Sequence, residues 1–260
     1  MNNDAKIRIY FNNISVQFQE NMLYFRVLNH SNMKNLVVLT GAGMSAESGI
    51  STFRDSGGLW ENYDVMKVAS IEGWYDDPDL MLQFYNDRRR QLKDVEPNEG
   101  HKIIAGLEQH FHVTVVTQNV DNLHERAGSS SVIHLHGELT KACNESKTIV
   151  SDIGYGDIHS GDKAPDGTLL RPFIVWFGEA VPLIEEAARV VSYADILVIV
   201  GTSLQVYPAA GLINYVKPGV PVYLIDPNEV STTRNVKVIR EKASVGMKLL
   251  EKELSDLIKK

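Results

Sequence analysis

The sequence has little cysteine and a deficit of positive charge. Cys143 is the single cysteine among 260 residues, which excludes an internal disulfide framework and indicates a reducing compartment. The formal net charge is -7, which argues against a general nucleic-acid-binding surface. We therefore expect no nucleic-acid partner.

Long apolar runs are also scarce. The first residues, MNNDAKIRIYFNNISVQF, lack the basic region followed by an apolar region that defines a signal peptide. The most apolar stretch begins at Ala194 and carries Asp195, Ser203, Gln205 and Pro208. It predicts a buried strand that leads into a loop and a helix rather than a membrane span. These observations predict a cytoplasmic protein without membrane contacts.

Short apolar runs rich in β-branched residues recur along the chain. The composition is that of an ordinary globular protein, with 43% hydrophobic and 23% charged residues. The runs begin at Asn35, His112, Val132, Phe173, Asp195 and Pro221. Runs that are apolar on successive residues are typical of strands covered on both faces, and helical patterns precede two of them, in 97–111 and 181–194. The pattern predicts an α/β fold of Rossmann type, a parallel sheet with helices on both faces.

Two segments depart from the alternation of strands and helices. Residues 63–97 have a helical pattern, clearest in PDLMLQFYNDRRRQL, and residues 140–170 are polar and rich in Gly, Asp and Ser. We predict that both are insertions that build a smaller lobe. Residues 33–62, 98–139 and 171–260 are then the Rossmann domain.

Residues 1–32 precede the first predicted strand as an N-terminal extension. One hypothesis is a misassigned start, with Met33 as the natural first residue; the alternative is a genuine extra strand or helix on the surface. Mass spectrometry of the native protein decides between them, because a peptide from residues 1–32 excludes a start at Met33.

The stretch NLVVLTGAGMSAESGISTFRDSGGLW has the strongest functional pattern. A buried strand ends at Thr40, and two glycines directly after it allow a tight turn and a close approach of the backbone to a ligand. A helix that opens here offers free N–H groups and a dipole that favour a phosphate. The residues of the turn and the helix start are Gly41, Ala42, Gly43, Ser45, Ala46 and Glu47. The alternative is that the glycines serve only a tight turn.

The same stretch does not continue as a dehydrogenase fingerprint. Gly41, Gly43 and Gly49 do not give GxGxxG, and no acidic residue closes a second strand about twenty residues on. Thr52, Phe53, Arg54 and Asp55 instead bring a cation and a carboxylate beside the turn. This combination predicts a dinucleotide that is held for chemistry other than hydride transfer.

Six motifs, in family order, resemble the sirtuin family of NAD-dependent protein-lysine deacylases. They are GAGMSAESGISTFRD, TQNVDNLHERAG, HLHGE, FGE, GTSLQVYPAA and IDPN, and they span residue 36 to about residue 250. The resemblance implies NAD as the cofactor and acyl-lysine in a protein or peptide as the substrate. It also implies that nicotinamide leaves and that the acyl group is transferred from lysine to ADP-ribose, giving O-acyl-ADP-ribose.

Polar residues follow several predicted strands, where α/β folds bind ligands. By resemblance to sirtuins, the residues that contact the nicotinamide-ribose end are Gln118, Asn119 and Asp121. Those implied for the adenosine side are Gly201, Thr202, Ser203, Asn228 and Ala243. From the residues alone, TQNVDN is equally an Asx-capped turn at a helix start, and both interpretations stay open at this point.

The stretch HLHGELTKACNES, from His134, holds two histidines and the cysteine. In sirtuins the histidine directly before the glycine is the general base, which implies this role for His136; an ordinary histidine pKa of about 6.5 suits it. His134 is predicted to be structural. Cys143 is a weak candidate nucleophile because nothing in the sequence lowers the pKa of its thiol.

The same stretch bears on metal binding. Sirtuins commonly carry a structural zinc on two CxxC pairs in this region, but here Ser146 stands in the place of the partner of Cys143 and no cysteine follows. Other side chains with ligand atoms downstream are Asp152, Asp157, His159 and Asp162. Structural zinc strongly prefers Cys and His sets, so we predict no metal.

Tyr85 and Arg88 are three residues apart and so share one face of a helix. A phenol and a guanidinium on one face can recognise a carboxylate. In class III sirtuins a Tyr-x-x-Arg at this place contacts the distal carboxylate of malonyl- or succinyl-lysine, and Ala46 also matches that class. The alternative is that residues 88–90, three arginines, form a solvated basic face.

Other interpretations remain at this stage. FIVWFGE, from Phe173, resembles the edge that pairs with an extended substrate peptide, but it is also a candidate core strand. An NAD hydrolase that needs no acyl-lysine would keep the same fold. A non-catalytic NAD-binding sensor is a further alternative, against which the presence of His136 together with Asn119 and Asp121 argues.

Overall fold

The computed structural model describes residues 33–51, 63–232 and 234–258. Thr52, Phe53 and Arg54, predicted to contact the cofactor, lie outside the described residues, as does the extension 1–32. The strands are β1 Asn35–Thr40, β2 His112–Thr117, β3 Val132–His134, β4 Gly137–Cys143, β5 Val150–Asp152, β6 Arg171–Ile174, β7 Ile196–Val200, β8 Val222–Ile225 and β9 Lys237–Ile239. The α-helices are α1 Ala42–Ala46, α2 Val65–Val68, α3 Ile71–Asp76, α4 Pro78–Asp94, α5 Glu99–Gly106, α6 Leu123–Ala127, α7 Ile184–Ser192 and α8 Ala243–Ile258, and Leu107–Gln109 and Ala209–Tyr215 are 3-10 helices.

Six strands form one parallel sheet in the order β3-β2-β1-β7-β8-β9. Successive residues of β1 enter opposite cores: Leu36 packs with α5 and α8, whereas Val37 packs with α7 and the 3-10 helix Ala209–Tyr215. Strand side chains alternate between the two faces, so a sheet with both faces covered requires apolar residues at every position. This explains the continuous apolar runs and confirms the predicted Rossmann-type α/β fold.

A second sheet of three antiparallel strands has the order β5-β4-β6. Its apolar core also contains the side chains of α3 and α4, among them Trp74 and Tyr85, together with Trp176. Arg89 of α4 is fully buried, and its guanidinium donates to Leu139 O at 2.7 Å and to Gly156 O at 3.3 Å. Helix α4 is thereby tied to β4 and to the loop after β5.

Two elements differ from the sequence prediction. The run that starts at Phe173 was counted with the parallel sheet, but β6 pairs with β4 in the second sheet. Strand β9 was not predicted, because two of its three residues are exposed and it lacks a continuous apolar run. The limits of the two lobes stay a prediction. Within the described ranges, no helix combines the length and apolarity needed to cross a membrane.

Candidate functional site

The parallel sheet has a topological switch point between β1 and β7, where the strand order reverses. Strands β2 and β3 lie on one side of this point, and β8 and β9 lie on the other. In open α/β sheets a crevice forms at such a switch point, beyond the carboxyl ends of the strands, and dinucleotides bind there. The predicted site residues that follow these strand ends are Gly41, Ala42, Gly43, Ser45, Ala46 and Glu47 after β1, Gln118, Asn119 and Asp121 after β2, His136 after β3, Gly201, Thr202 and Ser203 after β7, and Asn228 after β8.

The glycines on the two sides of the switch point pack against each other. Gly43 N donates to Gly201 O at 2.9 Å, and a Cβ added at Gly43 would lie 2.7 Å from Gly201 Cα. Gly201 has φ +61°, and its own Cβ would lie 2.3 Å from Met44 N. Backbone therefore meets backbone here, and any side chain would force the two loops apart. The glycines do serve a tight turn, and they also keep the mouth of the crevice free of side chains.

Asn119, Ser45 and Asp121 form a buried hydrogen-bonded set. Asn119 Nδ2 donates to Gly41 O and to Ser45 Oγ, both at 3.0 Å. Ser45 Oγ donates to Asp121 Oδ2 at 2.9 Å, and Leu123 N donates to Asp121 Oδ1 at 3.1 Å. Burial raises the pKa of Asp121. The set thus places a buried amide and a buried carboxylate together at the carboxyl end of β2.

His136 is oriented by one acceptor. Its ring Nδ1 lies 3.0 Å from Gln118 O, and a carbonyl can only accept, so Nδ1 carries the proton. Burial lowers the pKa of this imidazole, which keeps it neutral at pH 7. The lone pair is then on Nε2, the atom a general base needs.

His134 has a different environment. Its Nδ1 lies 3.0 Å from Asn119 O and its Nε2 lies 2.7 Å from Glu125 Oε1. Burial acts to lower the pKa of His134, but the neighbouring Glu125 carboxylate outweighs it and the pKa is raised. Glu125 was not among the predicted site residues, because no spacing rule links it to His134, which lies nine residues away.

The remaining cofactor candidates line the same edge of the sheet. Gln118 Nε2 donates to Thr202 Oγ1 at 3.1 Å, which joins the β2 and β7 loops. Ser203 is half-buried and Asn228 is exposed. Glu47 Oε2 accepts from Ser244 N at 2.8 Å, so this carboxylate caps α8 beside the buried Ala243. Small residues, neutral donors and one buried carboxylate, gathered at a switch point, fit a dinucleotide.

Cys143 has the properties of a core residue. It is 1% exposed, its Sγ lies 3.8 Å from Pro172 O, and burial raises the pKa of its thiol to about 11. A neutral thiol is a poor nucleophile and a poor metal ligand. Ser146 is exposed. In the part of the chain that the structure describes, no three His, Cys, Asp or Glu side chains are arranged to hold a metal ion, and the absence of zinc stays a prediction.

Tyr85 and Arg88 lie on α4, and each contacts the Phe84 ring. The ring centroids of Phe84 and Tyr85 are 5.1 Å apart, and Arg88 Cζ lies 4.8 Å from the Phe84 centroid. Tyr85 is 6% exposed, and its hydroxyl accepts a hydrogen bond from Trp176 Nε1 at 2.9 Å. Trp176 was not predicted as a partner of Tyr85, because FIVWFGE was interpreted only as a peptide-binding edge or a core strand.

Comparison with known proteins agrees with this geometry. The Sir2 family model matches residues 41–208. An NAD-dependent protein deacylase of Bacteroides thetaiotaomicron is 60% identical over 230 residues, which are 85% of this chain and 98% of the relative. A serine-to-alanine mutant of a Sir2 homologue, solved with ADP-ribose, has a TM-score of 0.81 at 38% identity and covers 88% of this chain and 94% of its own. A Sir2 histidine-to-alanine mutant with a deacetylated p53 peptide and 3′-O-acetyl ADP-ribose has a TM-score of 0.75 at 28% identity and covers 89% and 97%. The chain therefore belongs to the Sir2 family, and it is an NAD-dependent protein deacylase.

Proposed function

We propose that this deacylase removes acidic acyl groups, succinyl and malonyl, from lysine in proteins or peptides, with acetyl as a poorer substrate. The observation that carries the proposal is the guanidinium of Arg88. Its Nε and Nη1 are buried, and no described residue accepts a hydrogen bond from either. A buried donor without an acceptor is unfavourable by about 1–3 kcal/mol, and more when it is charged. A carboxylate from a ligand would remove this deficit.

The neighbouring arginines argue against a merely solvated basic face. Arg89 is buried and bonded to Asn86 Oδ1 and to main-chain oxygens. Arg90 is exposed and pairs with Asp87 and Asp157. Arg88 differs from both: it is half-buried, and neither its Nε nor its Nη1 has an acceptor among the described residues. Burial accordingly lowers the pKa of Arg88.

Tyr85 supports the same proposal through its unused proton. Its oxygen accepts from Trp176 Nε1, so its O–H remains available to donate to a ligand. Burial raises the pKa of Tyr85 far above its ordinary value, which keeps the phenol protonated. A phenol donor and a guanidinium fork together match the two oxygens of a carboxylate.

We propose the following roles for the remaining site residues. NAD, when bound, supplies an activated ribose carbon that loses nicotinamide and accepts the acyl oxygen of the substrate. Asn119 and Asp121 hold the ribose and carboxamide end, the Gly41 and Gly201 loops hold the phosphates, and Nε2 of His136 takes the proton of a ribose hydroxyl. The stretch FIVWFGE includes the end of β6, an edge strand of the second sheet, and is proposed to pair with the substrate backbone.

The test compares kcat/KM for matched succinyl-, malonyl- and acetyl-lysine peptides in the wild type, Arg88→Met and Tyr85→Phe. A charge-assisted hydrogen bond contributes about 1.5–3 kcal/mol, so we expect Arg88→Met to lower kcat/KM for the succinyl peptide about 10–100-fold. Tyr85→Phe keeps the ring packing and should lose about tenfold on the same peptide. Acetyl removal should change less than about threefold in both variants.

Arg90→Met is the matched control. It removes an arginine from the same helix, but the partners of Arg90 lie on the protein surface. It should leave the ratio of succinyl to acetyl activity unchanged. A wild type that removes acetyl faster than succinyl contradicts the proposal and returns the enzyme to an ordinary deacetylase. Nicotinamide release without any peptide would favour the hydrolase alternative instead.

A further inference from the structure

His134 and His136 contact the carbonyl groups of two consecutive residues. His136 Nδ1 lies 3.0 Å from Gln118 O, and His134 Nδ1 lies 3.0 Å from Asn119 O. His134 ends β3 and His136 lies in the turn that follows, and both rings face the segment that follows β2. His136 is the proposed base, whereas His134 is predicted only to be structural.

The second ring nitrogen distinguishes the two residues. His134 Nε2 lies 2.7 Å from Glu125 Oε1. When Glu125 is ionised, both ring nitrogens of His134 therefore face oxygens that can accept a hydrogen bond but cannot donate one. Both nitrogens must then donate, which requires the imidazolium form. The other charged and titratable groups that act on His134 are Glu138, Asp121 and His124.

The backbone of Asn119 is held at both its N–H and its carbonyl group. Its N–H donates to Thr117 Oγ1 at 3.0 Å, and its side-chain Nδ2 donates to Gly41 O and Ser45 Oγ. Thr117 Oγ1 also accepts from Thr40 Oγ1 at 2.8 Å. The two peptide planes on either side of the Asn119 Cα are thus each held by one hydrogen bond, which fixes the backbone that carries the side-chain amide before a ligand arrives.

We propose that His134, held by Glu125, is a positioning residue that fixes the Asn119 carbonyl and so orients the Asn119 amide toward the cofactor. This inference rests on the proposed role of Asn119 in binding the nicotinamide-ribose end. Unlike a residue that only packs, His134 acts through the hydrogen bond from Nδ1. The bond from Nε2 serves to hold the ring.

Two isosteric variants separate these functions. In His134→Asn the amide nitrogen occupies the place of Nδ1 and keeps the donor to Asn119 O. In His134→Gln the amide nitrogen reaches the place of Nε2 and keeps the contact with Glu125, but the donor to Asn119 O is lost. Both variants lose the charge of the imidazolium, and both replace the ring by a smaller amide side chain, so their melting temperatures should be close.

The measurement is kcat and KM for NAD and for an acyl peptide, together with Tm, in both variants. We expect His134→Asn to keep kcat within about threefold of the wild type, and His134→Gln to lose about tenfold or more, with the peptide KM unchanged in both. Equal kcat values for the two variants overturn the proposal, as does a loss of kcat that follows Tm.

Asn119→Ala is measured in parallel: if it retains turnover, the proposed role of Asn119 itself is wrong. If it loses turnover while the His134 variants match each other, only the positioning role is overturned.

Discussion

At the scale of single residues, the acceptors around a side chain decide its chemistry. His134 and His136 are the same residue type, two positions apart, yet one faces two acceptors and the other faces one. The first is therefore a cation and the second a neutral imidazole. Only the neutral ring has a lone pair for catalysis.

His136→Ala should retain NAD binding and lose turnover. The base contributes about 10²–10⁴-fold in rate, whereas the cofactor contacts lie on other strands. Calorimetric titration with NAD should give a Kd within about threefold of the wild type, while deacylation falls by at least about 100-fold. In the wild type, activity should fall as the pH drops through a midpoint below 6.5, because burial lowers the pKa of His136 and protonation removes its lone pair. An active variant would exclude His136 as the base.

At the scale of elements, α4 contains three consecutive arginines in three environments. A helix rotates about 100° per residue, so neighbouring side chains leave it in different directions. Arg89 is buried beside β4, Arg90 reaches acidic side chains at the surface, and Arg88 lies against Phe84. The helical spacing predicted that Tyr85 and Arg88 share a face, but it did not distinguish these three environments.

The loop after β4 has its own hydrogen-bonded centre. Asn144 is 1% exposed; its Nδ2 lies 2.9 Å from Ser146 Oγ, 3.0 Å from Thr148 Oγ1 and 2.7 Å from Asp166 Oδ2. Its Oδ1 accepts from Ile149 N at 2.9 Å. One side chain thus connects the loop after β4 with the loop before β6.

Asn144→Ala should destabilise the protein by about 2–3 kcal/mol, because it leaves the Ile149 amide without its acceptor and removes the donors to three oxygens. Urea denaturation measures the change. Ser146→Ala, which removes one exposed partner, is the control and should change the free energy of unfolding by less than about 1 kcal/mol.

A chelator should leave the Tm of the wild type unchanged. A drop in Tm with chelator, or a metal bound at one equivalent, would show that the predicted absence of metal is wrong.

At the scale of the whole molecule, the core of the large sheet has titratable groups sealed inside it. His101 of α5 and His124 of α6 are 0% and 1% exposed, with ring centroids 4.8 Å apart. Neither ring nitrogen of His101 has a hydrogen-bond partner among the described residues. Burial lowers the pKa of His101 to about 4 and that of His124 well below its ordinary value.

The free energy of unfolding should therefore fall as the pH drops below about 6.5. The unfolded chain takes up protons on these histidines near pH 6.5, whereas folded His101 resists protonation until about pH 4, so acid favours unfolding in this window. His101 alone should account for a loss of about 2 kcal/mol between pH 7 and pH 5. Urea denaturation at both pH values measures it, and His101→Leu should have a correspondingly smaller pH dependence. Equal slopes in the two proteins would contradict this assignment.

Features that depend on short stretches of chain were determined by the sequence alone. Runs of apolar residues predicted buried parallel strands, because only strands covered on both faces need an apolar side chain at every position. The order of turn and polar residues after those strands predicted the crevice, since the carboxyl ends of parallel strands meet at one edge. The position of β6 was misassigned because a short apolar run does not specify its sheet.

Features that depend on distant pairs were decided only by the tertiary structure. Gly43 and Gly201 pack against each other only because neither has a side chain. Trp176 holds Tyr85, and Glu125 holds His134. None of these partners is at a spacing that a helix or strand repeats, so no local periodicity reports them. The charge state of a histidine and the availability of an arginine depend on which acceptors folding brings within 3 Å. That is why the sequence predicted which residues lie at the site, while the folded chain decided which are protonated, held or free to bind.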